Sequence, residues 1–143
     1  MIGAVTSVQD GFTRAAYGVR MVIPTLRYKD ARAAIDFLES AFGFDGKIHH
    51  ENEDGTIAHA ELTYGRGMVM IGSAGTGDPQ FDTRQSSIYV VVADPDAAYG
   101  RAKASGAEIT REIEDMDYGS REFTARDPEG NVWSFGTYDP FRN

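Results

Sequence analysis

His59 and Glu61 stand two residues apart in Thr56 to Tyr64, a stretch that reads as a β-strand, so both side chains fall on one sheet face. An imidazole and a carboxylate together supply two of the donors a divalent metal requires, and one further donor would complete a relocated site. Without a metal, Glu61 is a candidate base that removes a proton beside a carbonyl. The competing reading is an ordinary solvated polar face. His49 and His50, followed by Glu51, Glu53 and Asp54, read as a solvated hairpin. The chain contains no Cys, which excludes thiol chemistry and any disulfide framework.

Further candidates follow from alternation. In Ser87 to Val92, the apolar set Ile88, Val90 and Val92 faces a helix, so Tyr89 points the other way, into a cavity. Ser134 opposes Trp133 and Phe135 in the same manner, and Ile23, Thr25 and Arg27 oppose Val22, Pro24 and Leu26. The predicted cavity is therefore lined by Ile23, Thr25, Arg27, His59, Glu61, Met70, Tyr89 and Ser134. Each also has a bland role. Tyr89 is equally suited to cross-strand packing, Arg27 to pairing with Asp30 or Asp36, and Met70 to adaptable core. Trp133, the lone Trp, is expected in the core.

The elements that position these residues repeat. Val19 to Tyr28 reads as a strand; Asp30 is an N-cap; Ala31, Ala34, Ile35, Leu38, Ala41 and Phe42 form a helical stripe; Gly43 ends it. In the second half, Ser87 to Val92 is the strand, Asp94 the cap, Pro95 the first helical residue and Gly106 the close. The capping aspartates are 64 residues apart and the closing glycines 63. Three strands follow each helix, near 47–53, 56–64 and 68–72, then near 108–114, 121–126 and 131–138. The spacing predicts an α+β chain of two tandem βαβββ modules, 19–72 and 86–139, joined by a linker at 73–85 and preceded by an arm at 1–18. Each curved mixed sheet has one face under its helix and one bare. Bare faces turned toward each other, within a chain or between copies, enclose a concave cavity.

Leu26-Arg27-Tyr28-Lys29-Asp30, Ala34-Ile35-Asp36-Phe37 and Ala41-Phe42-Gly43-Phe44 resemble the opening strand and helix of glyoxalase-type proteins. Asp127-Pro128-Glu129-Gly130-Asn131-Val132-Trp133-Ser134-Phe135 resembles their closing hairpin. The resemblance, to the vicinal-oxygen-chelate superfamily of glyoxalases, bleomycin resistance proteins and extradiol dioxygenases, spans about Val19 to Tyr138. It implies a glyoxalase-like fold and commonly a homodimer. It also implies four metal-ligand positions, which fall on Ile23, Met70 or Ile71, Ser87 and Ser134. A hydrocarbon, a thioether and neutral hydroxyls are poor donors, so no metal is expected at the usual site and no cofactor elsewhere unless a divalent ion uses a non-standard one.

Charge narrows the partners. A net charge of −8 repels phosphate backbones, arguing against nucleic acid. No apolar run reaches the roughly 20 residues of a membrane span, and 1–17 does not read as a signal peptide. The expectation is a cytoplasmic protein binding a small molecule between its sheets. The alternative is a lyase, isomerase or dioxygenase-type enzyme using Glu61 or a relocated metal.

Overall fold

Asp30 begins the first helix by accepting a hydrogen bond from the Ala33 amide at 3.0 Å, and Asp94 begins the second by accepting from Ala97 at 3.1 Å. In the computed structural model, which describes residues 20–142, these helices are α1 (Ala31–Phe42) and α2 (Pro95–Ala104). Gly43 closes α1 at φ 80°, a left-handed conformation that lets its amide reach Glu39 O and the Phe44 amide reach Leu38 O. At the end of α2 the cap is Ser105, and Gly106 follows at φ 81°.

The strands are β1 (Thr25–Tyr28), β2 (Asp45–Glu51), β3 (Ile57–Tyr64) and β4 (Gly67–Ser73) in the first module. The second has β5 (Ser87–Val91), β6 (Glu108–Asp115), β7 (Arg121–Arg126) and β8 (Val132–Gly136). They form two mixed sheets, ordered β1-β4-β3-β2 and β5-β8-β7-β6. In each, the strand before the helix runs parallel to the last strand of its module, as the predicted duplication requires. The first strand is shorter than predicted: 20–24 are not strand, and only Pro24 O joins the ladder, accepting from the Met70 amide. The arm expected at 1–18 lies outside the described residues.

One core serves both modules. Leu26, Leu62 and Ile71 line the buried face of the first sheet, and Val90, Phe123, Trp133 and Phe135 that of the second. Phe42 joins them, its ring centroid 5.6 Å from Trp133 and 4.9 Å from Phe135. Complete burial of one such ring contributes up to about 3 kcal/mol. Arg101 and Ser105, from the end of α2, donate to the last carbonyls of α1, at Glu39 and Ser40. The modules thus meet through their helix-bearing sides, and the two bare faces lie outside this core. Among the described residues, no strand of one sheet packs against a strand of the other, so these faces do not close on each other.

The Asp-Pro-Glu-Gly-Asn hairpin between β7 and β8 fastens the modules together. Gly130 adopts φ 92°, which the reversal requires. Asp127 is 4% exposed; its Oδ2 accepts from the Tyr28 hydroxyl of the first module at 2.6 Å, from Trp133 Nε1 at 3.0 Å and from Asn131 Nδ2 at 3.0 Å. Its Oδ1 accepts from the amides of Glu129 and Asn131. The two Glu129 oxygens accept from the amides of Lys29 and Asp30, each at 2.8 Å, where the chain enters α1. Burial and the neighbouring Asp127 carboxylate push the Tyr28 phenol far above its ordinary value, so it stays protonated and donates.

Candidate functional sites on the two open faces

On the first open face, register aligns Thr25 of β1, Met70 of β4, Glu61 of β3 and Lys47 of β2 in one row. This settles which residue of β4 faces outward: Met70 does, while Ile71 is 2% exposed in the core. Ile23 precedes β1 and is half-buried. His59 Nε2 lies 2.9 Å from Glu61 Oε2, and His49 Nε2 lies 3.0 Å from Oε1. The hairpin expected around His49 is therefore not wholly solvated. The register slips between Ile48 and His50, so His49 and His50 together oppose His59, and the His49 ring swings against Glu61. The hydrogen bond from His59, aided by His49, holds the Glu61 carboxyl below its ordinary value.

Arg27 pairs with neither Asp30 nor Asp36. Its Nη1 reaches Asp82 Oδ1 at 3.2 Å, and its guanidinium carbon lies 5.6 Å from the Phe81 ring centre. Gly72 makes room: a Cβ there would lie 3.3 Å from Arg27 Nε. The side chain thus lies flat across β4 and straps down the segment that joins the modules.

On the second open face the corresponding row is Tyr89 of β5, Ser134 of β8, Thr124 of β7 and Arg111 of β6. Tyr89 and Ser134 both face outward, as alternation predicts, while Trp133 and Phe135 are buried. Beside this row lies Glu122, only 4% exposed although it is on the bare side. Its Oε1 accepts from Arg111 Nη2 at 3.2 Å and from the Tyr118 hydroxyl at 2.9 Å. That bond to the Glu122 carboxylate raises the Tyr118 phenol above its ordinary value; burial does the same, first among causes, for Tyr89. Tyr89 donates to Tyr138 O at 2.7 Å, and the rings of Tyr118 and Tyr138 stand nearly perpendicular at 6.4 Å. Together Tyr89, Tyr118, Tyr138, Glu122, Ser134 and Ser87 line a depression of about 620 Å³.

Five of the eight predicted cavity residues thus belong to the first face (Thr25, Arg27, His59, Glu61 and Met70) and two, Tyr89 and Ser134, to the second, while Ile23 precedes the ladder. Glu122, Arg111, Tyr118 and Tyr138 were not predicted. Alternation along Arg121–Arg126 carries the signal for Glu122, since Phe123 and Ala125 occupy the core side. Tyr118 reads in sequence only as part of a turn.

The donor set at Ile23, Met70, Ser87 and Ser134 does not fit a divalent metal. Ile23 offers no donor, Met70 only a thioether, and the Ser134 hydroxyl sits 3.0 Å from that of Thr124. Elsewhere, among the described residues, no three His, Cys, Asp or Glu side chains are arranged to hold a metal ion. At His49, His59 and Glu61, each imidazole is engaged with a different oxygen of the same carboxylate. None of the helices among the described residues is long and apolar enough to cross a membrane.

Comparison with known proteins agrees with this architecture. The solved structure of TioX from Micromonospora sp. ML1 is 31% identical, with a TM-score of 0.70 over 87% of this chain and all of that one. A glyoxalase-related enzyme from Clostridium phytofermentans is 19% identical, with a TM-score of 0.68 over 84% of this chain and 95% of that one, which shows a shared fold. The uncharacterized protein Rv0887c of Mycobacterium tuberculosis (strain ATCC 25618 / H37Rv) is 30% identical over 136 residues, 90% of this chain and 80% of that protein. A family model described as Glyoxalase/Bleomycin resistance protein/Dioxygenase superfamily matches residues 20–135. The chain belongs to the glyoxalase/bleomycin resistance protein/dioxygenase superfamily.

Proposed function

We propose that the protein binds a small organic molecule on its open faces, as a homodimer, with no metal at the superfamily's usual positions. The observation that carries this reading is the second open face. Where a ligand to metal would stand, Ser134 lies on one side of a depression walled by three tyrosines. Aromatic walls with a few placed polar groups are the make-up of a small-molecule site. Homodimerisation is supported by the separation of the two bare faces within one chain: a second copy, setting its own bare faces on these, would turn open depressions into enclosed cavities. A cytoplasmic location fits the absence of cysteine.

An enzyme using Glu61 as base is the less favoured reading. Two imidazoles stabilise the carboxylate form of Glu61, and a carboxyl held below its ordinary value accepts a proton less readily. The test is light scattering together with metal analysis of protein purified without chelator. The expected result is twice the chain mass of 15.6 kDa and a divalent metal content far below one per chain. A monomer, or stoichiometric metal lost on Ser134→Ala or Glu61→Gln, would overturn the proposal.

A further inference from the structure

We infer that the tyrosine-walled depression takes the cationic, N–H-bearing end of a ligand, and that Glu122 Oε2 is the atom that receives it. This rests on the small-molecule reading above and adds to it the charge and donor character of the ligand. Glu122 is 4% exposed, yet both of its hydrogen bonds go to Oε1. Among the described residues no donor reaches Oε2. A carboxylate offers about four acceptor sites, and one oxygen left bare in a buried group is costly unless something donates to it. That group lines the depression, so the missing donor belongs to whatever enters.

The surroundings select the charge. Arg111, which is bonded to Glu122, is already shared between Glu122 and Glu114, whose Oε2 is 3.8 Å from Nη1. An anion entering would meet the carboxylate, and none of the described lining residues is a cation. Tyr89, Tyr118 and Tyr138 surround the opening with phenol rings, and ring faces attract cations, amidinium and ammonium groups among them. The chain's net charge of −8 draws cations toward the surface as a whole.

Benzamidine, its neutral isostere benzamide, and benzoate are the probes, followed by amide chemical shifts of the intact protein at millimolar concentration. Benzamidine is expected to shift Ser87, Ser134 and Tyr138 with an affinity at least about tenfold above that of benzamide, and benzoate not at all. Glu122→Gln abolishes that preference. Tyr138→Leu, at a position 52% exposed and so safe for folding, weakens benzamidine more than benzamide. Equal binding of benzamidine and benzamide, or a preference that survives both substitutions, overturns the charge assignment and leaves small-molecule binding standing. If none of the three probes shifts a residue of either open face, both readings fall.

Discussion

Replacing Asp127 with Ala removes one side chain and orphans several. The indole of Trp133 and the phenol of Tyr28 are both fully buried, and the Asn131 amide nearly so, and each donates to the Asp127 carboxylate. A buried donor without an acceptor costs about 1–3 kcal/mol. Water entering the vacated space offsets part of this, so the net loss is about 4 kcal/mol, a large share of the roughly 5–15 kcal/mol typical of a domain. Tyr28→Phe withdraws a single donor and leaves Asp127 with its remaining four, costing about 1 kcal/mol. Combined with Asp127→Ala, the Tyr28→Phe change should cost almost nothing further, because it removes a hydroxyl already orphaned. Urea unfolding followed by fluorescence measures the parent, the two single variants and the double variant, since Trp133 is the sole tryptophan and reports on the bond itself. The slope of free energy with urea should not change. A loss below about 1.5 kcal/mol for Asp127→Ala, or a Tyr28→Phe cost that is equal with and without Asp127, would refute the claim that this carboxylate bolts the modules together.

Two other outcomes follow from the open faces. A Cβ at Gly136 would lie 2.5 Å from Glu122 Cγ and 2.8 Å from the Tyr89 hydroxyl, so Gly136→Ala must displace the floor of the depression. It should lower stability by about 1–3 kcal/mol and abolish benzamidine binding, checked by thermal melting and amide shifts. Glu61 should titrate below its ordinary value in a carboxyl-detected NMR titration, and His59→Ala should move its midpoint up. Because the folded value is the depressed one, Glu61 adds stability that is full above the unfolded-state pKa and lost as pH falls through the folded one. A midpoint unmoved by His59→Ala would show that the hydrogen bond is not its cause.

Much of the frame is legible because duplication repeats its punctuation. Asp30 and Asp94 cap helices as their spacing predicts, and the outward aim of Tyr89 and Ser134 follows from alternation against Val90 and Phe135. The predicted first strand is too long because Met21, Val22 and Ile23 look like strand in sequence, whereas the parallel ladder has register partners only from Thr25. The place of His49 is hidden because a bulge brings it to Glu61, and bulges leave no periodic trace. The Asp-Pro-Glu-Gly-Asn hairpin announces a turn and a family. Its work as a fastener depends on Tyr28 and the amides of Lys29 and Asp30, about a hundred residues away along the chain. Pocket composition is hidden for a similar reason: Tyr118 and Tyr138 lie beyond regular strand, where periodicity says nothing.

The two bare faces occupy equivalent places in the repeated modules yet do not match: one carries Arg27, His49, His59 and Glu61, the other tyrosines over Glu122. This asymmetry governs what a two-fold axis can build. If the axis sets like upon like, the pair holds two dissimilar chambers, one imidazole-rich and one phenolic. If it sets unlike upon unlike, the pair holds two equivalent chambers, each with a charged wall and an aromatic wall. In the second arrangement one gene encodes a heterogeneous container, and a single substitution alters one wall of both chambers while the opposite wall is free to drift toward another guest.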